Sequence, residues 1–327
     1  MLSHRERMEN CLSGSPVDRP PVALWRHFPV DDQSPDSLAA ATTAFQRTFD
    51  FDFVKVTPAS SFCLKDWGVT DQWNAATEGT RDYTHHVISE PEDWRKLPIL
   101  DPMRGHLGDQ IECLRILAKE LGPTTPIIQT IFNPLSQAKN LCGNDVLLYH
   151  LRFYPDALHE GLQIITKTTL RFINALQALE IAGIFFAVQH AQYELLNEQE
   201  YEQFGSRYDI ELLDAADRFW MNMLHIHGRN IMFDRLSRYP VQIINWHDQE
   251  TPPSLSQALY NYPGIVCGGL QREKTMVLGT PDGVRDEAQA AFKQTQGNRF
   301  ILGTGCVVPI HAPYGNILAA RQSVDTL

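Results

Sequence analysis

The stretch "GIFFAVQHAQYELLNEQEYEQFGSRYDIELLDAADRFWMNMLHIHG", residues 183–228, holds one complete structural unit. It opens on an apolar run, GIFFAV (183–188), crosses an amphipathic segment (198–219) and closes on a second run, MLHIHG (223–228). Each run is short and bounded by glycine or polar residues, and the first is dense in branched and aromatic residues, as a buried strand is. Two such strands joined by a helix lie parallel, because the helix returns the chain to the edge where it started.

The same unit recurs on both sides. RPPVALW (19–25), FDFVKV (51–56), PIIQTIF (126–132), VQIINW (241–246), GIVCGGL (264–270) and RFILGTG (299–305) bring the runs to eight. Segments with apolar residues at helical spacing lie between them at 37–49, 107–122, 156–179 and 282–295. No internal repeat, low-complexity tract or linker divides the chain. Eight strand–helix units predict one (β/α)8 TIM barrel over residues 1–327, with a doubly wound sheet as the alternative. Segment 57–125 is too long for a single crossover helix, so a hairpin or an extra helix is expected there over the barrel mouth.

Bulk properties bound the function. The 327 residues are 43% hydrophobic and 20% charged, the balance of a folded protein with a sizeable core. A net charge of −11 and a pI near 5.5 argue against nucleic acid or an anionic membrane as the partner. No apolar run approaches the ~20 residues of a membrane span. The opening MLSHRERMENCLSG is polar and charged, unlike a secretory signal. Six scattered cysteines without a CxxC pair read as free thiols in a reducing, cytoplasmic compartment. The partner expected is a small-molecule substrate, and the chain is expected to act as a monomer or homodimer.

In such barrels chemistry gathers at the C-terminal ends of the strands. Here those ends carry Arg26 and His27, Lys55, Asn133, Gln189 and His190, His225 and His227, His247 and Asp248, Gln271 and Arg272, and Cys306. Positions i and i+2 of a strand face one way, so His225 and His227 point into one space. Four of the twelve histidines fall on the fourth, fifth and sixth runs, more than loop polarity requires. Zinc takes imidazole nitrogen and thiolate sulfur, usually four in all. His225, His227 and Cys306 are the candidate metal ligands, with Asp248 or His247 as a fourth. The alternative for HxH is a substrate contact without metal. Arg26, Lys55, Gln189, His247 and Asp248 are the candidate catalytic residues, Arg26 as a bidentate clamp on a carboxylate or phosphate.

The blocks RERMENCLSGSPVDRPPVALWR, FDFVKVTP, LHIHG, INWHD, CGGLQR and FILGTGCVVPIHAPYGNILAARQSV resemble, in order, those of the uroporphyrinogen decarboxylase superfamily over residues 5 to 324. The resemblance implies a (β/α)8 barrel and one of two chemistries. One branch decarboxylates uroporphyrinogen III without a cofactor. The other, which includes methylcobamide-dependent methyltransferases and is distantly similar to cobalamin-independent methionine synthase, uses zinc to activate a thiol that accepts a methyl group.

Against the decarboxylase pattern, Arg26 matches the first arginine of its N-terminal loop, but HFPVDD follows and the second arginine is missing. Its aspartate block has no counterpart, and Thr304 stands where its C-terminal histidine is expected. The methyltransferase branch carries HxC on the fifth strand and a cysteine on the eighth. His225 and Cys306 match, and His227 replaces the other cysteine, keeping a zinc ligand but a less electron-donating one. The resemblance therefore implies metal-dependent methyl transfer to a thiol, with Zn2+ as the metal and a methylcobamide or other corrinoid, free or on a corrinoid protein, as co-substrate. A cofactor-free lyase acting on uroporphyrinogen or another polycarboxylate, and a non-catalytic binder of a tetrapyrrole or corrinoid, are the alternatives.

Overall fold

The computed structural model describes residues 1–326. Nine strands form two sheets. In chain order they are β1 (Val54–Val56), β2 (Thr70–Gln72), β3 (Asp82–His85), β4 (Ile127–Phe132), β5 (Gly183–Val188), β6 (Met223–Ile226), β7 (Ile243–Trp246), β8 (Ile265–Leu270) and β9 (Phe300–Thr304). Seven make one curled parallel sheet in the order β1-β4-β5-β6-β7-β8-β9. Every residue of these seven is buried, which explains runs apolar on consecutive positions. Helices Pro35–Phe49, Gly105–Glu120, Pro155–Leu176 and Pro281–Thr295 occupy the four outer segments expected to be helical.

The first run, RPPVALW, departs from expectation. It supplies one bridge residue, Val22, paired in parallel with Leu302 of β9, and no regular strand. Pro20 and Pro21 have no N–H to give to a ladder. The segment still bonds on both sides: Ala23 N donates to Leu302 O at 3.0 Å, Leu302 N to Pro21 O at 2.9 Å, and Asp52 N to Val22 O at 2.9 Å. Seven regular strands thus stand where eight were expected.

The expected helix at 198–219 also divides. It runs as Glu198–Tyr201, a π-helical turn Glu202–Ser206, and Arg207–Ala215. Gly205 lies against the Tyr201 ring, where a Cβ would approach to 2.5 Å. The turn lets the Tyr201 hydroxyl donate to buried Asp209 at 2.6 Å.

The excursion at 57–125 contains the antiparallel hairpin β2–β3. Its connecting loop rests on residues at the strand ends. Thr77 O accepts Ile310 N at 2.8 Å, Glu78 pairs with Arg272, and a Cβ on Gly79 (φ +81) would lie 2.5 Å from His27 Cβ. At the other end of the strands, the buried Asp52 carboxylate ties the N-terminal helix His4–Ser13 to the sheet. It accepts from Arg7 Nη1 and Arg19 Nη1, both at 2.7 Å, and from Val22 N at 2.8 Å. Burial raises this carboxyl, but hydrogen bonds from His4, Arg19 and the Val22 N–H, with the Arg19 charge, outweigh it and hold the pKa at about 2. Among the described residues no helix is long and apolar enough to cross a membrane.

Candidate metal centre

Four side chains converge at the C-terminal ends of β6, β7 and β9. One donor atom from each of His225, His227, His247 and Cys306 lies within 4.8 Å of every other. Parallel pairing sets β6 beside β7 with His225 opposite Asn245, so His247, two residues on, comes level with His227. The ring centroids of His227 and His247 are 4.9 Å apart and those of His225 and His227 5.7 Å. Cys306, two residues past β9, brings Sγ to 3.9 Å from His227 Nδ1. Gly305 permits this approach: a Cβ there would lie 2.6 Å from His247 Cα.

Each group meets a different environment. His225 is buried and stacks on Phe185 at 5.2 Å. Its Nδ1 meets Asn245 Oδ1 at 2.7 Å, and burial lowers its pKa. The buried Nε2 atoms of His225 and His247 have no hydrogen-bond partner. His247 Nδ1 faces Glu250 Oε2 at 3.7 Å. Burial would lower the His247 pKa, but contact with Cys306 and nearby Glu250 raise it on balance. Burial alone would push the Cys306 thiol up, yet the three imidazoles pull it well below the usual thiol range. Beyond His247, Glu250 pairs with Arg272 at 3.4 Å, and Arg272 with Glu78 of the hairpin loop.

The structure brings together His225, His227 and Cys306, the three candidate ligands, and places His247 beside them. Asp248 lies outside the cluster. Its Oδ2 accepts Gly269 N at 3.0 Å and Gln249 Nε2 at 2.7 Å, so the carboxyl is turned onto the β8 backbone. Burial raises its pKa to about 7. Lys55 is buried, with Nζ 4.6 Å above the Phe185 ring and 3.2 Å from Thr57 Oγ1. Burial pushes its ammonium down to about 7. Arg26 is half-buried, donates to His27 O at 3.3 Å and covers the Phe28 ring at 5.4 Å. Gln189 is half-buried and makes backbone bonds, its N–H to Ser136 Oγ and its carbonyl from Gln192 Nε2.

Sequence reasoning missed Asn245, although it sits two residues before His247 and so shares its face, the same logic that singles out HxH. It also missed Glu250 and Glu78, whose pairing with Arg272 spans up to 194 residues and leaves no local signal.

The profile of the uroporphyrinogen decarboxylase (URO-D) family matches residues 3–327. The chain is 23% identical to the methylcobamide:CoM methyltransferase MtbA of Methanosarcina acetivorans, over 96% of this chain and 95% of that one. It is 20% identical to the methylcobamide:CoM methyltransferase MtaA of Methanosarcina barkeri, over 98% and 97%. A solved methyltransferase from Methanosarcina mazei shares the fold with a TM-score of 0.87 at 17% identity, over 100% of this chain and 99% of that one. A B12-independent methionine synthase from Shewanella sp. W3-18-1 does so at 0.61 and 14% identity, over 95% and 94%. These findings bear out the resemblance read from the sequence blocks, including its leaning toward the methyltransferase branch.

Proposed function

The chain belongs to the uroporphyrinogen decarboxylase family, and from that premise we propose that it is a metal-dependent methyltransferase moving a methyl group from a corrinoid to the sulfur of a small thiol. The donor cluster carries this reading. Three imidazoles and a thiol lie within 4.8 Å of one another, and two buried Nε2 atoms have no partner. Buried polar atoms normally find one. One divalent ion would satisfy both and complete a four-donor set of a kind zinc accepts. His225, His227 and Cys306 would hold the ion, with His247 as the fourth donor. When bound, zinc would favour the thiolate form of a thiol near neutral pH.

The chain's own residues do the remaining work. Arg26 and Lys55 form no ion pair among the described residues and are left to hold the acceptor. Lys55, near pKa 7, can also receive the thiol proton. Gln189 offers an amide at the end of β5. Asp248 fixes the loop that carries His247. In the transfer, a sulfur–carbon bond forms as the carbon–cobalt bond breaks; cobalt keeps the electron pair and leaves as Co(I).

We read residues 1–327 as one (β/α)8 barrel domain, with the Pro21–Ala23 segment closing the gap between β9 and β1. Its bonds to Leu302 and Asp52 support that reading. Six free cysteines fit a cytoplasmic setting, where the corrinoid would arrive free or on a corrinoid protein.

The test is anaerobic incubation of zinc-loaded protein with methylcobalamin and a panel of small thiols. Loss of methylcobalamin absorbance with formation of the S-methyl product is expected, and loss of both in His225→Ala and Cys306→Ser. A zinc-loaded wild type that demethylates nothing would refute the proposal.

A further inference from the structure

One buried amide touches the cluster without belonging to it. Asn245 is fully buried and lies opposite His225 on the neighbouring strand. Its Nδ2 donates to Cys267 O at 2.9 Å and to Thr304 O at 3.0 Å. Both are backbone carbonyls, which accept and never donate. The amide therefore has one orientation: its nitrogen faces β8 and β9, and Oδ1 faces His225. Asn245 Oδ1 is an acceptor as well, so His225 Nδ1, 2.7 Å away, must carry the proton. A neutral imidazole protonated at Nδ1 has its lone pair at Nε2. That Nε2 is buried and unpartnered.

We propose that Asn245 is a positioning residue that locks His225 in the Nδ1–H tautomer and so aims the Nε2 lone pair into the donor cluster. Three strands determine the lock. Asn245 is on β7, its donor bonds end on β8 and β9, and its acceptor bond ends on β6. Phe185 holds the ring from its other side by stacking. Partners that fix the tautomer of a ligating histidine in this way typically matter 10–100-fold for metal affinity. The inference rests on the metal-centre reading, but the tautomer itself does not, since the amide orientation follows from protein groups alone.

The test uses metal-free, full-length protein labelled with 15N in its histidine rings, as wild type, Asn245→Leu and Asn245→Asp. Two-bond proton–nitrogen correlation spectra at neutral pH report the tautomer of His225, assigned by its loss in His225→Ala. Titration with Co2+, followed by its thiolate charge-transfer absorption, reports metal affinity. Asn245→Asp keeps the acceptor but loses both donor bonds; Asn245→Leu loses all three. We expect the Nδ1–H form in wild type and Asn245→Asp, and its loss in Asn245→Leu. We also expect Co2+ binding roughly 10–100-fold weaker in Asn245→Leu alone. Equal weakening in both variants would reduce Asn245 to framework and overturn the proposal. An Nε2–H tautomer in wild type or in Asn245→Asp overturns it too, even if Asn245→Leu fails to fold. A wild type that shows the Nδ1–H form yet takes up no Co2+ overturns the metal reading, and with it the role assigned to Asn245.

Discussion

Replacing Lys55 with methionine should stabilise the protein while disabling it. Lys55 is 8% exposed, with no carboxylate beside it, only Thr57 Oγ1 at 3.2 Å and the Phe185 ring at 4.6 Å. Burial drives its pKa from 10.5 to about 7, which corresponds to about 5 kcal/mol against the charged form. Methionine fills nearly the same volume without that cost, and forfeits about 1–2 kcal/mol of cation–π attraction and hydrogen bonding. The net gain expected at neutral pH is about 2–4 kcal/mol, large beside a typical total of ~5–15 kcal/mol. The pH dependence has a definite sign. Between about 7 and about 10.5 the unfolded chain keeps the Lys55 proton and the folded chain has released it, so wild-type stability rises with pH across that window. Lys55→Met lacks this dependence. Its advantage should be full below pH ~7 and close toward pH ~10.5, in urea unfolding of both proteins across the range. Methyl transfer should fall at the same time, the exchange of stability for function typical of a site residue. A variant no more stable than wild type at neutral pH, or a difference that ignores pH, would refute the reasoning.

Other outcomes follow from the same contacts. Asp52→Asn should cost about 3–5 kcal/mol in chemical unfolding, because it strips a buried charge from Arg7 and Arg19. With its pKa lowered from 3.8 to about 2, Asp52 contributes stability above pH ~4 that is lost as pH falls toward ~2, so the variant's acid unfolding over that span should be shallower. Glu250→Gln, beside His247 Nδ1 at 3.7 Å, should weaken zinc binding roughly 10-fold or more in competition with a chromophoric chelator. Anaerobic incubation with uroporphyrinogen III should give no stepwise decarboxylation when the oxidised porphyrins are separated. Thr304, which donates to Cys306 O at the position expected for histidine, offers no such chemistry.

Strands whose identity is decided by burial on both faces were legible in the sequence. GIFFAV, 183–188, is β5 to the residue, because glycine and the polar Gln189 bound an unbroken apolar run. RPPVALW reads as well by composition, but a ladder needs N–H donors, and Pro20 and Pro21 have none. The π-helical turn at Glu202–Ser206 answers to the fit of Gly205 against Tyr201 and to the buried Asp209, contacts invisible in helical spacing. At the site, the two-residue period of a strand is enough to pair His225 with His227. That Cys306 meets them depends on the curl of the sheet, which carries β9 round toward β6. Asp248 and His247 are adjacent and equally plausible as ligands on paper. The chain leaves β7 at Trp246, and in the turn that follows His247 joins the cluster while the Asp248 carboxylate is held on Gly269 N.

The claim that this cluster is a metal centre that engages a thiol can be tested on the metal itself. X-ray absorption of the zinc-loaded protein should show about three nitrogen neighbours at ~2.0–2.1 Å and one sulfur at ~2.3 Å, the donor set His225, His227, His247 and Cys306. Adding an acceptor thiol should raise the sulfur count from one to two and lower the nitrogen count by one, the thiol taking the position of the fourth donor. A protein that takes up no zinc, or a spectrum indifferent to every thiol that supports turnover, would contradict the account.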